Sequence, residues 1–289
     1  MTQVNVITGG GSGIGLAAAM QMPKDQIVLI TGRSEKRLQG AADTLRQKGI
    51  QVETASCDVS DNESVERLVS RAASLGELRS VIHAAGVSAG QAELDQILRI
   101  NALGVVHVIR NFAGAMKQNG CIAVIGSCSS ASLPAILLPV GSYTLIMRDE
   151  DKFVRRLARR CRIVPDQYQQ KSIAYCMTKN FVKWYLTHSA YHYARNGVRL
   201  VCISPGVVDT ALGRTELKNP ETQSILRYTG LGRPARPEEI GFLASTAVDE
   251  RNGYLLGTDI FVDGGCTAAG FGMMAAIRKN SHPKDRGIY

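Results

Sequence analysis

The run Val4-Asn5-Val6-Ile7-Thr8-Gly9-Gly10-Gly11-Ser12-Gly13-Ile14-Gly15 decides how the chain folds. An apolar stretch suited to a strand buried on both faces passes into a turn of glycines, and the turn opens an alanine-rich segment suited to a helix. Strand, glycine turn and helix in that order begin a parallel α/β unit. Glycines let the backbone turn sharply and approach a pyrophosphate, whose charge is met by free amides at the helix start. Gly9, Ser12, Gly13, Ile14 and Gly15 are therefore candidate phosphate-binding residues.

The alternation repeats downstream. Ile27-Val28-Leu29-Ile30-Thr31 ends at Gly32-Arg33-Ser34 before a second helical stretch. A carboxylate here would accept hydrogen bonds from a ribose 2′-hydroxyl, whereas an arginine suits a 2′-phosphate. Gly32 offers no carboxylate and Arg33, with Ser34 beside it, offers a guanidinium, which favours NADP(H) over NAD(H). After a third strand at Val52-Glu53-Thr54-Ala55, Asp58 and Val59 are placed to flank an adenine. A fourth, Ser80-Val81-Ile82-His83, runs into Ala84-Ala85-Gly86, whose small side chains leave room for adenine or ribose. From about Gln91 a long helix carries Asn101, which needs an internal partner if buried. The fifth strand, Cys121-Ile122-Ala123-Val124-Ile125, ends at Gly126-Ser127, and puts Ser127 at the carboxyl edge of the sheet, where ligands of open α/β sheets sit.

Tyr175 and Lys179 lie four residues apart on a helix and so share a face. A lysine held beside a tyrosine favours the phenolate, lowering a pKa of about 10 and fitting the hydroxyl for general acid or base work near neutrality.

Composition bounds the rest. With 289 residues and 45% hydrophobic content the chain can bury a substantial core, and the repeating strand and helix signals favour one domain. The net charge of +9 is concentrated in one segment without a nucleic-acid-binding motif, which points to anionic small molecules and a solvated face rather than DNA or RNA. Seven scattered cysteines argue for a reducing compartment, most simply the cytoplasm, and against a disulfide framework. No apolar run reaches membrane-spanning length, and no export signal opens the chain. His188 and His192 are spaced as metal ligands are, but lack a carboxylate or cysteine cluster, so no metal site is expected.

In this order the motifs resemble the short-chain dehydrogenase/reductase family over nearly the whole chain. The resemblance extends through Ser204-Pro205-Gly206-Val207-Val208-Asp209-Thr210 to Val262-Asp263-Gly264-Gly265. It implies a single doubly wound Rossmann-type parallel sheet with helices on both faces, and a homodimer or homotetramer. Tyr175 would be the proton donor or acceptor, with Lys179 lowering its pKa and holding the nicotinamide ribose. Ser127 would hydrogen-bond the substrate oxygen, Asn101 would hold a water in a relay to Lys179, and Pro205, Gly206, Val208 and Thr210 would surround the nicotinamide. The family's usual Asn-Asn-Ala-Gly turn is here His83-Ala84-Ala85-Gly86, which shifts cofactor affinity toward Arg33 and backbone groups.

The larger departure is the 48-residue separation of Ser127 from Tyr175, where the family commonly has little more than a dozen. Tyr143 is nearer, but Met147 stands where the lysine should be. Residues 133–171 form the inserted segment. Within it Arg148 to Arg162 reads as a basic amphipathic helix, with Phe153, Leu157 and Cys161 on one face and Arg155, Arg156, Arg159 and Arg160 on the other. A similar insert occurs in a bacterial branch of hydroxysteroid dehydrogenase/carbonyl reductases. The insert admits three readings: a substrate lid, a block or replacement for a subunit contact, or a membrane-surface element. Residues 211–230, through Leu212, Leu217 and Leu226 to Tyr228, are expected to cover the substrate. The 266–289 tail, with Phe271, Met273 and Met274, would close the pocket or dock on a neighbour. The expected activity is hydride transfer between NADP(H) and a secondary alcohol or ketone, with a hydroxysteroid as the first candidate. The rivals are an NAD(H)-dependent reductase of small carbonyls and a non-catalytic cofactor sensor.

Overall fold

The structure, a computed structural model, describes residues 2–217 and 219–271. Among them, β1 (Gln3–Thr8), β2 (Ile27–Gly32), β3 (Gln51–Ser56), β4 (Glu77–His83), β5 (Gly120–Ile125), β6 (Val198–Pro205) and β7 (Asp259–Val262) form one parallel sheet in the order β3-β2-β1-β4-β5-β6-β7. The chain first winds outward from β1 to β3, then returns to β4 on the other side of β1. The crevice at the carboxyl ends of β1 and β4 is the switch point where such sheets take ligands. Register brings the strand ends level, with Thr8 opposite both Thr31 and His83.

The helices follow in chain order as α1 (Gly13–Ala19), α2 (Glu35–Gln47), α3 (Asn62–Leu75), α4 (Leu94–Leu98), α5 (Gly104–Ala115), α6 (Val140–Tyr143), α7 (Glu150–Cys161), α8 (Gln167–Arg195), α9 (Ala211–Glu216), α10 (Pro220–Tyr228) and α11 (Pro237–Val248). Successive strand residues feed opposite faces. Val4, Val6, Leu29 and Val81 pack with α3, α5 and α8, while Ile7, Val28 and Ile30 pack with α1, α2 and α11. This doubly wound arrangement explains the near-continuous apolar runs of the strands, since both faces are covered.

The long helix expected from Gln91 starts at Leu94, where Glu93 and Gln96 form a capping box, and it is interrupted by a π-turn at Arg99–Leu103. Asn101 sits in the middle of that turn. Widened turns of this kind alter the helical hydrogen-bond ladder and recur at functional sites.

Within the insert, α7 is shorter at both ends than the expected Arg148 to Arg162, because Asp149 caps it by accepting from Lys152 N at 2.7 Å. Acidic Glu150 and Asp151 open the helix and Arg159 and Arg160 close it, complementing its dipole. Phe153, Val154, Leu157, Ala158 and Cys161 are buried, and the Phe153 ring lies 4.7 Å from Phe181 of α8. Tyr143 is fully buried with its ring 5.3 Å from Phe181 and 5.4 Å from Trp184. The polar side is tied down as well. Glu150 accepts from Arg110 at 3.1 Å and lies 3.0 Å from His107 Nε2, and Asp151 pairs with Arg99 at 3.1 Å. Lys152, Arg155, Arg156, Arg159 and Arg160 stay in solvent.

Trp184 and Tyr185 pack inside the chain, whereas Tyr191 is exposed. Met273 and Met274 of the expected tail lie outside the described residues, and Phe271 lies 6.1 Å from the Tyr228 ring. No described helix is long and apolar enough to cross a membrane.

Candidate active site

The glycine turn after β1 is dictated by close approach. Gly9 has a φ of +70°, and a Cβ there would lie 2.8 Å from the Ala84 carbonyl carbon and the Ala85 nitrogen. A Cβ on Gly15 would collide with the Gly9 carbonyl. The result is an open cleft of about 660 Å³ floored by backbone. Gly9, Ser12, Gly13, Ile14 and Gly15 line one part of it, Arg33 and Ser34 a second, Asp58 and Val59 a third, and Ala85 and Gly86 a fourth. These are the expected cofactor residues of the first half of the chain, brought together at the switch point. The cleft fits a dinucleotide on its own geometry, since the tight turn that shapes the cradle leaves no room for a side chain at Gly9 or Gly15 against the neighbouring backbone.

Several details differ from expectation. Ser34 Oγ caps α2, accepting from Arg37 N at 3.4 Å. Arg37, in the first turn of α2, also lines the cleft, and among the described residues neither guanidinium makes an ion pair. Arg33 precedes the Ser34 cap and lies outside α2, so helical spacing did not single out Arg37. The Asp58 carboxylate is held by Ser60, whose N and Oγ donate to Oδ1 at 2.9 and 2.6 Å. His83 is a buried core residue with Nδ1 2.8 Å from Thr8 Oγ1, its Nε2 has no hydrogen-bond partner among the described residues, and burial together with the nearby Lys179 lowers its pKa to about 3.

A second cavity of about 220 Å³ adjoins the cleft, and Ile14, Gly86, Thr210 and Leu212 line both. Ser127, Tyr175 and Lys179 converge on it, with Pro205, Gly206 and Val208 along another side. Ser127 heads the turn after β5, where its Oγ accepts from Ser129 N at 3.1 Å, and it also hydrogen-bonds Tyr175. Lys179 Nζ donates to the Ile125 carbonyl at 3.0 Å and lies 5.7 Å from the Tyr175 ring centre. Asn101 anchors the loop after β4 by two bonds to one residue: its Oδ1 accepts from Val87 N at 2.9 Å and its Nδ2 donates to Val87 O at 2.8 Å. A Cβ on Gly86 would lie 3.2 Å from Asn101 Oδ1 and 3.9 Å from Lys179 Nζ, so both side chains approach that glycine.

The expected lowering of the phenol's pKa does not arise from this arrangement of side chains. Burial pushes Tyr175 above its ordinary value, only partly offset by the bond with Ser127, and burial also pulls Lys179 down to about 8. Desolvation disfavours both charged forms more than the lysine, turned toward Ile125, stabilises the phenolate.

The insert contributes Tyr168 to the cavity, followed by Ser172 on the same helix, while α7 itself lies outside it. Of the expected substrate residues Leu212 lines the cavity, and Thr222 and Ile225 stand where Leu226 and Tyr228 were expected. Glu216, at the end of α9, was not anticipated, because an isolated glutamate in a loop region carries no motif. Tyr143 is excluded as an acid by position, its hydroxyl donating to Asn180 Oδ1 at 3.1 Å inside the core. Among the described residues no group of three or more His, Cys, Asp or Glu is close enough to hold a metal, and His188 is stacked on Trp184 at 4.7 Å.

Two family models match the chain. One, described as short chain dehydrogenase, matches residues 3–138, and the other, described as enoyl-(acyl carrier protein) reductase, matches residues 162–267. The chain is similar to short-chain dehydrogenase/reductase bsc3 of Alternaria brassicicola, 27% identical over 93% of this chain and 97% of that one. It is 24% identical to 3beta-hydroxysteroid dehydrogenase 2 of Eggerthella lenta over 92% of this chain and 95% of that protein. A crystal structure of a variant actinorhodin polyketide ketoreductase with NADPH superposes with a TM-score of 0.69, at 20% identity, over 92% of this chain and 97% of that one.

Proposed function

The chain belongs to the short-chain dehydrogenase/reductase family, whose members are oxidoreductases that use NAD or NADP on small molecules, and from that premise we propose that it is an NADP(H)-linked alcohol dehydrogenase/carbonyl reductase acting on bulky secondary alcohols and ketones. One observation carries the reading: the Tyr175 phenol, Ser127 and Lys179 face a cavity that opens directly into the glycine-floored cleft. The nicotinamide supplies or accepts the hydride when bound. Tyr175 moves the proton at the substrate oxygen, and Ser127 orients that oxygen by hydrogen bonding. A phenol kept protonated by burial is poised as the donor in carbonyl reduction. Lys179, released from the Ile125 carbonyl, would serve the ribose and supply the charge that eases the proton's departure. Asn101 keeps the Gly86 loop and Lys179 in register.

Arg33 after β2 and Arg37 in the first turn of α2, with no carboxylate at Gly32, support NADP(H). A hydroxysteroid is the first substrate choice, supported by the relative named for that activity and by a cavity walled by Leu212, Ile225 and Tyr168. We further propose that residues 133–171 act mainly as a structural cover on α8, touching the substrate through Tyr168, within one oxidoreductase domain that includes the 211–230 loop. The test is a panel of ketones, steroid and small, assayed with NADPH and NADH separately. Turnover of steroid ketones with NADPH is expected. Turnover of small ketones alone removes the steroid, and faster reaction with NADH removes the cofactor choice.

A further inference from the structure

We infer that Glu216 sets the charge selectivity of the substrate cavity, so that the chain favours alcohols and ketones whose remote end is neutral or cationic and discriminates against those bearing a carboxylate, phosphate or sulfate. The inference rests on the reductase reading and names the substrate class of that same site.

Among the described residues that line the cavity, Glu216 is the acidic one and Lys179, whose Nζ is turned to the Ile125 carbonyl, the basic one. Among the described residues no cation lies within ion-pair distance of the Glu216 carboxylate. Its partners are neutral donors. Ser88 Oγ donates to Oε1 at 2.6 Å, Gly90 N donates to Oε1 at 3.3 Å, and Asn219 Nδ2 donates to Oε2 at 2.8 Å. Such donors fix the position of a carboxylate and leave its charge in place.

The site is shaped for this contact. Ser88 is buried and also lines the cavity, and a Cβ on Gly90 would lie 2.8 Å from Oε1. The bonds span from the loop after β4 to the end of α9, so the carboxylate is held where two walls of the cavity meet. A carboxylate oxygen accepts about two hydrogen bonds, and among the described residues Oε2 accepts one, which leaves capacity for a substrate hydroxyl or ammonium. The charge is felt at the reacting end: Glu216 adds to the effects that hold the Tyr175 phenol protonated, after burial.

A like charge brought into a partly desolvated cavity is opposed by roughly tenfold or more in kcat/KM. Three cyclohexanones matched in size, with methyl, dimethylammonium or carboxylate at the 4-position, test this with NADPH as the reductant. The wild-type protein is expected to reduce the methyl and ammonium ketones at least about tenfold more efficiently than the carboxylate ketone. In Glu216→Gln the carboxylate penalty should collapse and the ammonium preference disappear, read as ratios between substrates within one protein. Equal efficiency for methyl and carboxylate ketones in the wild type overturns the inference without any variant, so misfolding of Glu216→Gln leaves the test intact. An unchanged ratio in a folded Glu216→Gln overturns it too. If no ketone in this or the steroid panel reacts with either cofactor, the reductase reading itself is overturned and this inference falls with it.

Discussion

The cofactor cleft and the substrate cavity share a border at Gly86 and Thr210, yet they are built from different material. The cleft is a backbone surface. Its shape is set by the level carboxyl ends of β1, β2, β3 and β4 and by glycines that a side chain would obstruct. The cavity is a side-chain surface, assembled from Cys128, Tyr168, Ser172, Glu216 and Ile225 on segments far apart in the chain. A ligand of constant shape can be met by main-chain amides, so its site leaves a dense local signature. A ligand that varies is met by side chains whose identity can change without disturbing the sheet.

Replacement of Tyr175 with Phe should separate the two surfaces most sharply. Loss of the proton donor is expected to lower kcat/KM by roughly 10²- to 10⁴-fold, while NADPH binding measured by calorimetry stays within a few-fold of wild type. If binding fell as steeply as turnover, the two surfaces would not be independent. Phe153→Ala probes the cover beneath them. Removing a fully buried ring packed on Phe181 should cost about 3 to 5 kcal/mol in denaturant unfolding, with the KM of the folded fraction little changed. Tyr168→Ala should do the reverse, raising KM with a smaller loss of stability, because Tyr168 borders the cavity and α7 does not. A KM effect from Phe153→Ala larger than that from Tyr168→Ala would make the insert a lid after all.

The same contrast explains what could be read from the sequence. The order of strands and the glycine cradle were legible because each depends on local spacing tied to the sheet's register, whereas the gathering of Ser127 with Tyr175 and Lys179 across 48 residues was implied by the family resemblance. Asn101 was legible as a buried amide that needed a partner, but its partner was not, since Val87 is brought to it by a π-turn that no local pattern signals. The phenol's pKa departs from the sequence-based expectation for a related reason. Helical spacing placed the lysine near the tyrosine, but the pull of the Ile125 carbonyl and the depth of burial belong to tertiary structure. Glu216 and Ile225 escaped because a cavity wall built from separated segments has no periodicity.

Lys179 offers a way to sharpen the comparison through pH. Its pKa in the folded chain, about 8, lies below its ordinary value of about 10.4, so between these limits the unfolded chain binds more protons than the folded one. Stability therefore rises with pH across that window, and the penalty for burying the ammonium is felt in full below about pH 8. From pH 8 to 9.5 the wild type should gain up to about 2 kcal/mol relative to Lys179→Met, measured by denaturant unfolding at each pH. Tyr175 opposes this only at higher pH. Its raised value keeps the folded phenol protonated where the unfolded one ionises, so its contribution falls away above about pH 10. A flat difference between the two proteins would mean that Lys179 is better solvated than its position in the wall implies.

The smallest effect is expected at the rim of the cleft, where side chains replace backbone as the source of selectivity. Arg33 and Arg37 are exposed, so each contact with a 2′-phosphate is screened by water and salt. Arg33→Ala should weaken NADPH binding about tenfold, near 1.4 kcal/mol, and leave NADH binding unchanged. Arg37→Ala should act in the same direction, and raising the salt concentration should narrow both differences, since an exposed ion contact is what each variant removes. Equal weakening of NADPH and NADH would show the arginines shaping the turn after β2 rather than reading the ribose. No change with either cofactor would leave Gly32 without a charged neighbour in recognition, and the NAD(H) alternative would then account better for the absence of a carboxylate contact than the phosphate does.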